Sequence, residues 1–296
     1  MLLRAVRGEL GRHRCRENAQ VDYDPTQYRR SAPYYLAGRP PYSAELGTVL
    51  ARELGLDGTG HLLDVGCGPG VLAVQLAALV EQVTAVDPDA DMLEQARLYA
   101  ASSGVQRIGF IRARAEDIAD LGLAPMRIVT FGQSFHRTDR VPVAEAVYDL
   151  LEPGGAIVLV VHDPDGGSAP AGTGDPAIPD DEVQQLVSRY LGAQRQSGRG
   201  PASRFSTERF ESTLERTRFG PPTTIHAPGQ RHISRDIDGV VSGYLSMSYA
   251  APHLFGDHLD DFIADLRSLL KAATTTGRFW DWPGDTAAII ARKRTS

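Results

Sequence analysis

Asp64, Gly66, Cys67, Gly68 and Gly70 fall in the run His61-Leu62-Leu63-Asp64-Val65-Gly66-Cys67-Gly68-Pro69-Gly70, an apolar stretch ending in a carboxylate and three alternating glycines. Glycines at that spacing let a chain turn tightly and approach a ligand, and the apolar stretch Val71 to Val80 supplies a helix whose N-terminus faces the same spot. The chemistry implied is the holding of a nucleotide-type cofactor. Gly68, Gly70 and Ala73 also satisfy a loose G-x-G-x-x-A pattern, so a dinucleotide is the first rival. Two residues count against it: Asp64 sets a negative charge before the turn, and Pro69 removes an N–H from a loop that would cradle phosphate. A donor with an amino group and no phosphate, such as S-adenosylmethionine, suits that carboxylate. Asp87, about 20 residues after the turn, is placed to accept hydrogen bonds from ribose hydroxyls. A cap of the next helix, ahead of Pro88 and Asp89, is the competing reading of Asp87.

These residues need strands and helices to hold them. From Tyr42 to His162 short apolar runs alternate with amphipathic stretches, the pattern of repeated βα units and a parallel sheet. Strands are expected at Leu62–Val65, Val83–Val86, Ile108–Arg112, Ile128–Gly132 and Ala156–Val161. Helices are expected near Leu72–Val80, Asp91–Ala101 and Val143–Leu151, the last capped by Asp139 and closed by Pro153-Gly154-Gly155. Beyond an aperiodic segment, Asp163 to Pro179, helices are expected near Asp181–Leu191, Thr207–Thr217, Ile237–Ser246 and Asp257–Ala273, with extended pieces at Thr223–His226 and Thr286–Ala291. The fold class is α/β: a doubly wound, mostly parallel sheet that the two late strands bring to seven, with the intervening helices as a cap. The expected division is a basic leader at 1–22, a helical N-terminal cap at 23–60, the cofactor core at 61–162, a loop at 163–180, and cap helices with the last strands at 181–296.

The ordered motifs Asp64-Val-Gly-Cys-Gly-Pro-Gly70, Val86-Asp87-Pro-Asp-Ala-Asp-Met92, Ala113-Arg-Ala-Glu116-Asp117, Phe131-Gly-Gln-Ser-Phe-His136 and Leu151-Glu-Pro-Gly-Gly155 resemble the class I S-adenosylmethionine-dependent methyltransferases, especially the small-molecule type 11 branch. The resemblance covers roughly Tyr28 to Val161 and implies a Rossmann-like core. It implies that the glycine loop lies under the methionine part of the cofactor, that Asp87, followed by Pro88, holds the ribose, and that Met92 packs on the adenine. By the same resemblance Ala115 and Glu116 meet the adenine edge and Gln133 lies near the methionine moiety. Arg114 stands where an acid is common, which leaves Glu116 and Asp117 as alternatives for the adenine amino group. Met126-Arg127 and Arg137 are further departures. The entry segment Tyr28 to Tyr42 is similar to the family's N-terminal cap, in which Arg39 would pair with the methionine carboxylate and Tyr28 would line the site.

Methyl transfer is an in-line displacement, so alignment and exclusion of water supply much of the rate. Where a general base helps, imidazole suits neutral pH, and His136 in the loop after strand four is the candidate. A loop histidine that only shapes the pocket is its bland alternative. Tyr244, Tyr249 and His253 are the candidate substrate contacts, set against ordinary helix packing; Phe279-Trp280-Asp281-Trp282 reads as a packing corner.

The chain has 296 residues, 31 basic against 37 acidic side chains and a net charge of −6, which disfavours a protein that grips phosphate backbones. No apolar run reaches the roughly 18 residues of a membrane span. Two cysteines, Cys15 and Cys67, sit in contexts that suggest no bridge, so a reducing, cytoplasmic setting is expected. Arg195, Arg199, Arg204 and Arg209 read as a solvated face, and the eight histidines, from His13 through His61, His162, His226 and His232 to His258, show no metal-ligand spacing. The reading is an S-adenosylmethionine-dependent methyltransferase acting on oxygen, nitrogen or carbon of a small molecule, without metal, nucleic acid or membrane. The alternatives are an NAD(P)-dependent oxidoreductase and a cofactor-binding protein without turnover.

Overall fold

The computed structural model describes residue 24 and residues 26–163, 174–192, 209–230 and 233–295. The expectations for the leader at 1–22, for His13, Cys15, Arg195, Arg199, Arg204 and His232, and for most of the loop after Asp163 lie outside the described residues.

Five parallel strands come first: β1 (His61–Val65), β2 (Gln82–Asp87), β3 (Ile108–Arg112), β4 (Met126–Gly132) and β5 (Leu151–Asp163). Two later ones, β6 (Thr223–Ala227) and β9 (Asp285–Arg292), complete a seven-stranded sheet in the order β3-β2-β1-β4-β5-β9-β6, with β9 antiparallel to both neighbours. Both faces of the sheet are covered, so its strands read as nearly continuous apolar runs rather than as alternation. Leu62, Ile128, Val158 and Val160 pack on one face with Leu72 and Leu76, while Leu63, Val129, Ile157 and Leu159 pack on the other with Phe131, Phe135 and Val147.

The helices in chain order are α1 (Ala32–Gly38), α2 (Leu46–Leu54), α3 (Val71–Leu76), α4 (Ala90–Ser102), α5 (Arg140–Leu150), α6 (Asp180–Leu191), α7 (Phe210–Glu215), α8 (Ile237–Leu245) and α9 (Leu259–Ala273). Three local expectations need correction. Pro153-Gly154-Gly155, just past the end of α5 at Leu150, does not precede the strand but lies inside β5, which starts at Leu151 beside Met126, with a register irregularity before Ile128. Asp139 precedes α5 but makes no side-chain cap; its own N–H is held at 3.1 Å by Glu116 Oε1. Phe279–Asp281 is not a corner, because β8 (Arg278–Asp281) pairs antiparallel with β7 (Ile233–Asp236) in a two-stranded ribbon.

A third apolar cluster binds the ribbon and the late helices into one layer: Val183 and Leu186 of α6, Val240 and Leu245 of α8, Phe262 and Leu266 of α9, and Phe279 of β8. Helix α1 joins this layer rather than the sheet. Gly38 lies so close to α8 that a Cβ there would stand 2.4 Å from the Ser242 carbonyl. Arg235 fixes the crossing, pairing with Asp281 at 3.0 Å and donating to the carbonyls of Gly38 and Gly239.

Candidate active site

The turn after β1 uses up its own donors. The N–H groups of Gly66 and Cys67 both donate to the Val86 carbonyl, at 2.8 and 3.0 Å; Gly68 N–H donates to Asp87 Oδ2 at 2.8 Å; Gly70 N–H donates to the Cys67 carbonyl at 3.0 Å. Pro69 has none. No position from 66 to 70 therefore offers an N–H to a diphosphate. Gly66 (φ 65°) is pressed by Ser134, whose Cβ would lie 2.6 Å from a Cβ at Gly66, whereas a Cβ at Gly68 (φ 54°) would meet nothing within 4 Å. The turn is closed below and open above. Cys67 is a buried free thiol, held protonated by burial and the nearby carboxylates.

Beneath and beside the turn lie two carboxylates. Asp64, fully buried, accepts from Thr130 Oγ1 at 2.8 Å through Oδ1. Its Oδ2 has no hydrogen-bond partner; the Ala73 N–H faces the carboxylate without completing a bond of ordinary geometry. Burial raises its pKa to about 7 against the lowering by Thr130 and Ala73. Asp87, at the end of β2, is 8% exposed and receives Gly68 N–H on one oxygen and Asp89 N–H, at 2.9 Å, on the other. Burial raises its pKa to about 6. The cap of α4 is Asp89, whose side chain accepts from the N–H groups of Asp91 and Met92, so Asp87 is not the helix cap of its competing reading. Pro88 is half-buried and Met92 nearly fully buried at the first turn of α4.

The loops after β3 and β4 close the other side. Ala115 and Glu116 open a 3-10 turn, and Glu116 bonds Asp139 N–H and Arg114, the latter at 3.2 Å; Asp117 is exposed. Gln133 takes a left-handed conformation (φ 54°) with its N–H on the Val160 carbonyl at 3.0 Å. For a non-glycine residue this backbone costs on the order of 1 kcal/mol, and such strain gathers at ligand sites. His136 sits in the following 3-10 turn, its pKa lowered to about 4 by burial and by Arg140, so it is neutral at pH 7. An imidazole so depressed is a weak base.

From above, α1 and the segment before it cross these loops. Tyr35 lies within electrostatic reach of Asp87, and Arg39, over the Tyr35 ring at 5.2 Å, donates to the Ser246 carbonyl at 3.0 Å while its Nε is buried without a partner. Tyr28 does not stand open to the site: the Arg137 guanidinium stacks on its ring at 4.4 Å and bonds its hydroxyl, and also bonds Gln27 at 3.0 Å. Burial lowers Arg137 to about 10. His253 Nδ1 lies 3.0 Å from the Arg29 carbonyl and so clasps the same segment. Tyr244 is buried with its hydroxyl on Asp180, and Tyr249 accepts from Gln184 at 2.9 Å, so both are tied into the cap. The reading of the residues missed Tyr42, Thr130 and His162; Tyr42 and His162 stack with ring centroids 5.0 Å apart. Their positions in sequence carry no motif, although the ends of β4 and β5 are where a parallel sheet opens its crevice.

No cluster of His, Cys, Asp or Glu among the described residues could hold a metal, and no helix among them is long and apolar enough to cross a membrane. The residues fit a ligand with one cationic end: a buried carboxylate with an unpartnered oxygen below the turn, a second beside it, and an arginine with an unpartnered nitrogen above. Residues 62–155 match a family described as a methyltransferase domain. The chain is 36% identical over 113 residues to a ubiquinone biosynthesis O-methyltransferase of Pectobacterium atrosepticum, covering 38% of this chain and 46% of that protein. It is 36% identical over 100 residues to one of Xanthomonas axonopodis pv. citri, covering 33% and 41%. The chain thus spans less than half the length of the curated relatives it matches. Over nearly its whole length the fold is similar to the crystal structure of the [4+2]-cyclase SpnF, with TM-score 0.50 and 17% identity, covering 92% of this chain and 95% of that one. Over residues 62–155, about a third of the chain, the sequence is thus that of a methyltransferase domain.

Proposed function

We propose that the chain transfers a methyl group from S-adenosylmethionine to oxygen, nitrogen or carbon of a small molecule. The observation that carries this is the turn at residues 66–70, in which every N–H is already engaged and two carboxylates lie at its floor and side. Such a turn repels a pyrophosphate and favours a sulfonium donor with an ammonium group. The oxidoreductase reading loses its phosphate cradle.

In this reading Gly66, Cys67, Gly68 and Gly70 form the floor under the methionine part, with Asp64 as the buried negative charge beneath it. Asp87 and Pro88 take the ribose, the Asp87 oxygens having lone pairs beyond those given to Gly68 and Asp89. Met92 packs on adenine; Ala115 meets its edge by backbone, since the Glu116 carboxylate is engaged by Asp139 and Arg114. Gln133 and Arg39 face the methionine end, and Tyr28 acts as part of the segment closing over it. The bound donor supplies an electrophilic methyl; the chain's work is to align it, exclude water and receive a proton from the acceptor. His136, neutral and weakly basic, shapes the acceptor loop. Tyr249 and the clasp at His253 belong to the acceptor-side cover, with Tyr244 behind them.

The relatives matched at 36% identity are O-methyltransferases by name, which favours oxygen among the three acceptors. The net charge of −6 supports an acceptor other than nucleic acid, and a buried, unpaired Cys67 supports the cytoplasm as compartment. A second reading on the same fold, which is shared with a chain named a cyclase, is a cofactor-binding protein without methyl transfer. Thermal unfolding with S-adenosylmethionine, S-adenosylhomocysteine and NADH separates these. Stabilisation by the first two is expected; stabilisation by NADH alone overturns the reading. Release of S-adenosylhomocysteine on addition of acceptors then distinguishes turnover from binding.

A further inference from the structure

Two carboxylates border one turn, and among the described residues no cation pairs with either. Asp64 meets the Thr130 hydroxyl through Oδ1, while its Oδ2 has no hydrogen-bond partner although the side chain is fully buried. Asp87 receives the N–H groups of Gly68 and Asp89, one on each oxygen. Around Asp64 stand Asp87 of β2, Cys67 of the turn and Tyr42 of the entry segment. Around Asp87 stand Asp89, ahead of α4, and Tyr35 of α1. Each of these is an acid, or a hydroxyl or thiol that is neutral until it turns negative. From β4 and α3 come Thr130 and the Ala73 N–H, which carry no charge. Arg39 acts on Tyr35 and Tyr42, but its hydrogen bond goes to the Ser246 carbonyl and not to either carboxylate.

Neighbouring carboxylates repel each other, and burial without a cationic partner makes charging the second one costly, so the empty site retains a proton. The hydrogen bonds decide where it sits. Backbone N–H groups on both Asp87 oxygens favour the ionised form, whereas Oδ2 of Asp64 is left over, so the proton belongs to Asp64. The order of the two acids agrees: burial raises Asp64 to about 7 and Asp87 to about 6. A ligand enters this balance through its charge. S-adenosylmethionine carries a sulfonium and an ammonium against one carboxylate, while S-adenosylhomocysteine has lost the sulfonium and is neutral as a whole. The donor alone brings a net positive charge to stand in for the proton.

We propose that S-adenosylmethionine displaces the proton of Asp64 on binding, that S-adenosylhomocysteine binds with that proton in place, and that the site thereby tells donor from spent donor by charge. The inference rests on the methyl-transfer reading. The displaced proton goes to solvent, and Asp64 regains one from solvent once the sulfonium charge is gone. Rising pH therefore tightens the hold on the donor and leaves the hold on its product nearly unchanged.

The test is calorimetry on the full-length protein with each of the two ligands, in phosphate and in imidazole, buffers whose heats of protonation differ. At about pH 6 the donor is expected to release close to one proton per site and S-adenosylhomocysteine less than about a fifth of one. From about pH 5.5 to about pH 7 the donor Kd is expected to fall about 10-fold and the product Kd to change less than about threefold. Asp64→Asn, which keeps an oxygen for Thr130 and cannot ionise, is expected to bind both ligands without proton release and with a constant ratio of affinities. Thr130→Val, which removes the hydroxyl that favours ionised Asp64, is expected to raise the donor's proton release at about pH 7 from about one half toward one. Equal release by the two ligands, no release by the donor, a difference that survives in Asp64→Asn, or an unshifted release in Thr130→Val each overturns the proposal. Failure of wild type to bind either ligand at any pH overturns the underlying reading instead.

Discussion

Asp64 carries a carboxylate that the fold neither solvates nor fully pairs, and that has a measurable consequence. Its folded pKa, about 7, is raised above the ordinary value by burial. The folded state therefore binds a proton the unfolded chain has released, so the stability from this group is full below about pH 4 and is lost as pH rises through 7. Asp64→Asn should remove that slope: without ligand, the variant's Tm relative to wild type is expected to climb between pH 5 and pH 8, with weaker donor binding at both. A constant Tm difference across that range would show that the Asp64 charge is not buried. Asp87 acts differently, because it ties Gly68 N–H and is proposed to hold the ribose. Asp87→Ala is expected to raise the S-adenosylhomocysteine Kd by about 10–100-fold, the worth of a hydrogen bond to a charged acceptor. Calorimetry that finds an unchanged Kd removes it from the site. The positions of both acids, each at the end of a strand beside the glycine turn, were legible in sequence because they depend on residues adjacent in the chain. Glu116 was not, since its bonds to Asp139 and Arg114 depend on how two loops distant in sequence meet.

At the scale of elements, α1 is the hinge between donor site and cap. A Cβ on Gly38 would stand 2.4 Å from the Ser242 carbonyl and 2.6 Å from Gly243 N, all backbone, so the helices must part. Overpacking of this kind costs typically 1–3 kcal/mol. Gly38→Ala is expected to lower the unfolding free energy from urea titration by that amount and, because α1 carries Tyr35 and leads into Arg39, to weaken donor binding as well. The segment before α1 is held from both sides, by Arg137 on Tyr28 and Gln27 and by His253 on Arg29. Arg137→Met is expected to speed tryptic cleavage at the exposed Arg29 and Arg30; an unchanged rate would show the clasp to be idle. The departures from the family's motifs acquire structural reasons at this scale. Arg127 Nη1 bonds Asp57 and Thr59 and Nη2 bonds the Gly55 carbonyl, fixing the entry to β1. Arg137 is the clasp itself.

For the molecule as a whole, the two apolar clusters of the sheet share its strands, and the cap's cluster joins them where the chain runs from β8 of the ribbon through Trp282-Pro283-Gly284 into β9, in the sheet's late half. Core and cap are expected to unfold together. The two tryptophans, Trp280 and Trp282, sit at the ribbon, so their fluorescence reports the cap while far-UV circular dichroism reports the whole. Coincident transitions are expected, and a fluorescence change well ahead of the dichroism would divide the molecule. Donor at 100 times its Kd should add about 2.7 kcal/mol and raise both transitions together by roughly 5–10 °C.

The sequence by itself determined the α/β sheet with its late strands and the turn with its two acids, because each depends on periodicity or on residues adjacent in the chain. The tertiary structure decided what the long-range contacts are for. It pairs Phe279–Asp281 with Ile233–Asp236, turns Tyr28 and His253 into a clasp, and stacks Tyr42 on His162 across about 120 residues of chain. It also settles the turn's electrostatics. Glycines permit the turn of the chain, but only the fold shows each N–H engaged and a carboxylate oxygen left unpartnered beneath, since the partners come from β2 and β4.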